Sequence, residues 1–129
     1  MKFLGIDYGK KRVGIAVSND DGTMAFPRVV LQNNTYLIGQ ILGLAKGVGS
    51  SEIVLGLSLD NKGAPNIIMK EIEKFKRALK HAGLAVHYEE EFYTSAEAAR
   101  IQGKEAGNDA SAAALILQSF LDRQKNKTG

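Results

Sequence analysis

Residues 3–18 read FLGIDYGKKRVGIAVS, and this stretch predicts how the fold begins. An apolar run reaches a single acid, Asp7, and Gly9 then supplies a turn. In the run that follows, three branched side chains alternate with other residues and so share one face of a strand: Val13, Ile15 and Val17. The pattern predicts a β-hairpin whose first strand ends on a carboxylate. A cluster of cations accompanies the turn: Lys10, Lys11 and Arg12.

The rest of the chain predicts three more strands and four helices. Residues 23–32 predict a third strand, at a sheet edge because Pro27 lacks a backbone donor. The later elements are predicted as a helix at 33–49 capped by Asn33 or Asn34, a strand at 51–59, a helix at 66–81, a strand at 83–91, and helices from Thr94 and from Asn108. This order predicts an α/β fold: a five-stranded mixed sheet with three antiparallel strands, then parallel ones, flanked by helices.

Length and composition narrow the class of protein. The 129 residues predict one domain, 1–129, with a frayed basic tail at 123–129. The apolar fraction of 44% and the charged fraction of 24% are typical of a soluble globular protein, and a net charge of +3 does not by itself establish a nucleic-acid partner. The absence of cysteine excludes disulfides and thiolate zinc sites. No signal peptide or membrane span is predicted, so the cytoplasm is the expected location.

Acidic residues fall at the ends of the predicted elements. Asp7 ends the first strand, the run Glu89–Glu91 ends the fifth, and Asp109 starts the last helix. If the first strand is central with parallel neighbours, these positions meet at one sheet edge, where ligand sites collect. Converging carboxylates repel each other, and oxygen-only ligands favour Mg²⁺ or Mn²⁺. Two such ions can clamp the attacking and leaving oxygens of a phosphodiester, which would make this edge a nuclease site.

Each acid also has an ordinary structural interpretation. Asp7 fits a turn residue, Asp109 fits a first-turn acid that complements the helix dipole, and the run Glu89–Glu91 fits a solvated strand end. At most one or two of the three glutamates can enter a shared site, because neighbours on a strand point to opposite faces. We interpret His81 and His87 as surface or helix-end residues rather than as ligands.

Five blocks of the sequence resemble one known family. GIDYGKKRVGIAVS is similar to the opening motif of the YqgF family, Holliday-junction-resolvase-like proteins proposed as pre-16S rRNA nucleases. Four later stretches resemble further blocks of the family in the same order: GTMAFP, IVLGLSLDNKG, FYTSAEA and NDASAAALILQSFLD. The resemblance covers nearly the whole chain. It implies an RNase H-like fold and a site built from three acids.

The resemblance assigns these acids residue by residue. Asp7 matches the family's first-strand Asp, and Asp109 matches the Asp of its last-helix block. The family's middle Glu falls on Glu91, and the Asp before it becomes Glu90. The departure is Phe92, because the family usually has Arg there. An apolar ring thus replaces a cation that could pair with phosphate, and three other cations are candidates to substitute for it: Lys10, Lys11 and Arg100.

Three hypotheses for the function follow. The first is a metal-dependent nuclease in which Asp7, Glu91 and Asp109 bind Mg²⁺ or Mn²⁺, with two ions expected, while Lys11 and Arg12 hold substrate phosphate. Its substrate would be structured RNA such as pre-16S rRNA, in preference to branched DNA. The protein would be a monomer or a homodimer. The second is a non-catalytic RNA-binding module of ribosome assembly, favoured by Phe92. The third, an actin-like ATPase, would need two lobes, for which 129 residues are too few.

Overall fold

A computed structural model describes the backbone of residues 1–57, 65–89 and 109–128, and the side chains of 1–56, 70–89 and 110–124. The strands are β1 (Phe3–Tyr8), β2 (Arg12–Ser18), β3 (Ala25–Gln32), β4 (Glu52–Leu57) and β5 (Ala85–Glu89). The helices in these ranges are α1 (Leu37–Val48), α2 (Pro65–His81) and α3 (Asp109–Thr128). The helix predicted from Thr94 lies outside the described residues. Within them, no helix combines the length and the apolar character needed to cross a membrane.

The five strands form one mixed sheet in the order β3-β2-β1-β4-β5. β1 pairs antiparallel with β2, and β2 pairs antiparallel with β3. β1 pairs parallel with β4, and β4 pairs parallel with β5. The predicted mixed α/β sheet is therefore confirmed, with β1 at its centre and the Pro27 strand at its edge. The carboxyl ends of the three parallel strands meet at one edge, called the carboxyl edge below.

Helices cover both faces of the sheet. α1 and α2 pack on one face, where three side chains of α2 are buried: Ile72, Phe75 and Leu79. α3 packs on the other face through side chains that recur at helical spacing: Ala113, Leu117, Phe120 and Leu121. Two strand glycines allow α3 to approach closely. A Cβ added at Gly5 would lie 2.7 Å from the Cβ of Leu117, and one at Gly56 would lie 2.7 Å from the Cδ1 of Ile116.

The start of α1 differs from the prediction. The helix begins at Leu37, with no side-chain hydrogen bond capping it, because both asparagines have other partners. The side-chain oxygen of Asn34 accepts a hydrogen bond from the backbone N–H of Tyr36 at 2.9 Å. The side-chain amide of Asn33 donates to the carbonyl oxygen of Gly9 at 2.7 Å. Of the two glycines predicted to end the helix, Gly47 and Gly49, the structure has Gly49, whose φ of 75° is left-handed.

Candidate active site

Asp7 lies at the carboxyl edge of the central strand and is 2% exposed. Its partners across the sheet are Gly14 of β2 and Gly56 of β4, and Gly56 is in turn paired with Glu89 of β5. Alternate residues of a strand point to the same face, and a Cβ at Gly5 would point toward α3. Asp7, two residues later, therefore has its side chain on the α3 face. Asp7 and Glu89 are therefore buried on one face, two strand spacings or about 10 Å apart.

The start of α3 is level with Asp7 along β1. The rings of Phe120 and Phe3 lie 5.6 Å apart, and Gly5 approaches Leu117 and Ala113. Moving along β1 toward its carboxyl end thus moves toward the amino end of α3, so the two elements are antiparallel. From Gly5, two further strand residues cover about 7 Å and reach Asp7. The same distance along α3, counted from Ala113 toward the amino end, reaches the first turn of the helix. The backbone of Asp109 therefore starts α3 near the carboxyl edge, and its side chain is not among those described.

Glu89 has a structural partner. Its side chain is fully buried, forms an ion pair with the Arg123 guanidinium, and accepts a hydrogen bond from the Ser119 hydroxyl at 3.1 Å. Both partners lie one turn apart on α3, so the carboxylate ties β5 to that helix. Arg123 was predicted to begin a frayed tail, whereas α3 extends to Thr128. Glu91, the glutamate that the family resemblance favours, lies outside the described residues.

We expect Arg123→Ala to lower the free energy of unfolding by about 2–3 kcal/mol. The substitution leaves a buried carboxylate with only a hydroxyl donor, and the 58% exposure of the Arg123 side chain keeps the cost below that of a fully buried pair. Urea unfolding measures the effect. Combining Arg123→Ala with Glu89→Gln removes the orphaned charge and should recover part of the loss. Equal stability of the single variant and the wild type would contradict the assignment.

The cations of the β1–β2 turn lie beside Asp7 in the chain and are exposed: Lys10, Lys11 and Arg12. The turn is fixed from β3, because the Asn33 side chain binds the Gly9 carbonyl at 2.7 Å and the Asn33 N–H donates to the carbonyl of Lys11 at 2.9 Å. Asn33 was predicted only as a helix cap. Its contribution is to hold a basic turn at the carboxyl edge, next to the buried carboxylate.

The histidines lie elsewhere. The Nε2 of His87 lies 2.7 Å from a carboxylate oxygen of Glu52, which begins β4 at the opposite edge of the sheet. The His87 ring also packs 5.1 Å from the ring of Phe120. His81 is exposed at the end of α2. His81 is thus a helix-end residue as interpreted, whereas His87 is a half-buried residue of β5.

The described part of the site offers one carboxylate of the kind that a hard divalent cation binds. Asp7 supplies carboxylate oxygens, and its glycine neighbours place no strand side chain beside it. Oxygen donors of this kind suit Mg²⁺ or Mn²⁺. Among the described side chains no group of three His, Cys, Asp or Glu could hold a metal ion, and Glu91 and the side chain of Asp109 are outside that set. The residues present therefore fit one part of the predicted cation site.

Comparison with known proteins places the chain in a family. Residues 1–123 match a family model described as "RuvX: Holliday junction resolvase". The chain belongs to the RuvX family. A relative from Nitratidesulfovibrio vulgaris (strain Miyazaki F) is 37% identical, with 98% of this chain and 97% of the relative covered, and is named for a proposed role as a pre-16S rRNA nuclease. A relative from Anaplasma marginale with the same name is 31% identical over 98% of this chain and 87% of its own.

Solved structures confirm the fold of this RuvX-family chain. RuvC from Thermus thermophilus aligns with a TM-score of 0.65 at 16% identity, over 98% of this chain and 97% of RuvC. RuvC in complex with a Holliday junction substrate also aligns with a TM-score of 0.65, over 96% of each chain. The RNase H-like fold and the YqgF resemblance inferred from the sequence are therefore confirmed. The RuvX match does not assign individual site residues.

Proposed function

We propose that this RuvX-family protein is a metal-dependent nuclease that processes the 5′ end of pre-16S rRNA during ribosome biogenesis, in the cytoplasm. The observation that carries the proposal is Asp7, a buried carboxylate at the end of the central strand, level with the first turn of α3. The names of the relatives at 37% and 31% identity support the RNA substrate. We favour structured RNA over branched DNA, and a monomer or a homodimer.

The proposed site comprises Asp7, Glu91 and Asp109, which would hold Mg²⁺ or Mn²⁺, with two ions as the expected number. The ions, when bound, would supply an activated water and stabilise charge on the phosphodiester oxygens. Two observations support this assignment: Asp7 is buried at the end of the central strand, and α3 begins at Asp109. We assign Lys11 and Arg12 to hold substrate phosphate. The support is that their turn, which Asn33 fixes, lies at the carboxyl edge.

Two alternative functions have specific support. The likeness of the fold to RuvC in complex with a Holliday junction substrate favours a branched-DNA resolvase. Phe92, in place of the family's usual Arg, favours a non-catalytic RNA-binding module that assists ribosome assembly. Phe92 lies outside the described residues, so this alternative rests on the sequence.

The deciding experiment compares cleavage of a pre-16S rRNA 5′ leader and of a four-way DNA junction, each with Mn²⁺, Mg²⁺ or EDTA. We expect cutting of the leader that EDTA abolishes. Preferential cutting of the junction would establish the resolvase instead. Binding of the leader by the folded protein without cutting under any condition would establish the non-catalytic module.

We expect Lys11→Ala combined with Arg12→Ala to weaken RNA binding and to reduce the slope of log affinity against log salt by about 1.4–1.8, the contribution of two phosphate contacts. Fluorescence anisotropy over a salt series measures this slope. The matched control removes two cations away from the carboxyl edge, Arg28→Ala with Lys46→Ala. Equal slopes for the two double variants would show that the turn does not contact phosphate.

A further inference from the structure

The net charge of the chain is concentrated on α2. This helix has five Lys or Arg and two Glu, a surplus of three positive charges. That surplus equals the net charge of +3 for all 129 residues, so the remaining cations and carboxylates balance at twelve each. The modest total charge therefore conceals a strong local asymmetry.

Four basic side chains follow one line along α2, spaced by four, three and four residues: Lys70, Lys74, Arg77 and His81. This spacing keeps them on one face of a helix. The opposite face is the one that enters the core. All four side chains are exposed, and we call this line the α2 basic stripe.

The stripe is not explained by ion pairing within the helix. Glu73 precedes Arg77 by four residues, a spacing that favours a pair. Among the described side chains, however, the salt bridges involve other residues, and none includes a member of the α2 basic stripe. The cations of the stripe are therefore available to an external anion.

The surface beside the stripe is shallow and open. A slight depression on it is lined by three members of the stripe and two alanines: Lys74, Arg77, His81, Ala78 and Ala82. The alanines give it a small apolar floor, and the basic side chains border it. A sugar–phosphate backbone matches this combination, because its sugars can rest on the small floor while its phosphates meet the cations.

The α2 basic stripe is separated from the candidate active site. α2 begins at the carboxyl edge, and Lys74 and Arg77 lie about 14–18 Å along it from Pro65. Asp7 faces α3, whereas α2 covers the opposite face of the sheet. The outward surface of α2 lies about a helix diameter, 10–12 Å, beyond that face. A straight duplex seated at Asp7 cannot also follow this surface.

We propose that the outward face of α2 is a second nucleic-acid backbone site, which holds another arm of a folded or branched substrate whose cleavage point is at the carboxyl edge. This rests on the proposed nuclease function, since that function supplies the substrate. The ligand class is the sugar–phosphate backbone, read by charge and shape rather than by base. The site selects substrates in which two arms diverge, one toward Asp7 and one along α2.

The test measures binding without cleavage, in an Asp7→Asn background, by anisotropy over a salt series. Lys74→Ala with Arg77→Ala is compared with Lys76→Ala with Lys80→Ala, which removes the same charge from the same helix away from the depression. The ligands are a two-armed folded RNA, a four-way junction, and a straight duplex of about eight base pairs, roughly 27 Å long.

We expect Lys74→Ala with Arg77→Ala to lower the salt slope by about 1.4–1.8 on the two-armed ligands, and by less on the straight duplex, which can occupy only one of the two sites at a time. The control pair should change neither. Equal effects of the two pairs, or an equal loss on the straight duplex, would overturn the proposal. Because binding is read separately, a wild type that binds with this pattern but never cuts would refute only the nuclease.

Discussion

Asp7→Asn is expected to lower metal-dependent cleavage about 10²–10³-fold or more. The substitution keeps the size of the side chain and one oxygen but removes the negative charge that would bind the cation. Asp7 is 2% exposed and belongs to the central strand, so the sheet fixes the position of its carboxylate. Cleavage of the pre-16S leader in Mn²⁺ gives the activity.

Two further measurements on Asp7→Asn distinguish loss of metal binding from loss of the fold. Mn²⁺ binding, followed by calorimetry, should weaken in Asp7→Asn, while the urea midpoint without metal shows whether the sheet is intact. Asp21→Asn is the matched control, since it makes the same chemical change in the exposed β2–β3 turn, at the opposite edge of the sheet. Unchanged Mn²⁺ binding in folded Asp7→Asn would refute the metal assignment.

Gly5→Ala is expected to destabilise the protein by about 2–3 kcal/mol, the upper part of the range for overpacking a core. The added Cβ would lie 2.7 Å from the Cβ of Leu117 and 3.1 Å from the carbonyl oxygen of Ala113. Neither atom is the end of a flexible side chain, so α3 as a whole must move away from β1. Urea unfolding measures the loss.

The matched control for Gly5→Ala is Gly43→Ala in α1. A Cβ at Gly43 meets nothing within 4 Å, and alanine favours helix, so this variant should be stabilised by up to about 1 kcal/mol. Displacement of α3 should also weaken Mn²⁺ binding in Gly5→Ala, because that helix carries Asp109. A Gly5→Ala protein as stable as the wild type would show that α3 does not approach β1 as described.

The fold was predictable where local periodicity determines it. The alternating residues of the hairpin, the Pro27 strand and the 3.6-residue stripes of α2 and α3 all depend on near neighbours in sequence. The start of α1 was not predictable from its neighbours in sequence, because Asn33 bonds to Gly9, 24 residues away, instead of capping the helix. The close approach at Gly5 and Gly56 depends on residues more than fifty positions distant and leaves no local signal.

The candidate site divides in the same way. Asp7 and the start of α3 at Asp109 could be placed from strand and helix ends, because parallel strands align their carboxyl ends. Glu89 could not be distinguished from Glu91 by position alone, since its partner Arg123 is 34 residues away on another element. Glu91 and Phe92 lie outside the described residues, and the assignments made for them stay predictions.

The contact of α3 with Gly5 and Gly56 joins two strands from the first half of the chain to its last described helix. Synthesis runs from the amino terminus, so β1 and β4 leave the ribosome before α3, and both glycines stay uncovered until α3 follows. In the proposed site, a nascent chain that lacks α3 would hold Asp7 without Asp109. We therefore expect the proposed nuclease to become active only after α3 has docked on the sheet.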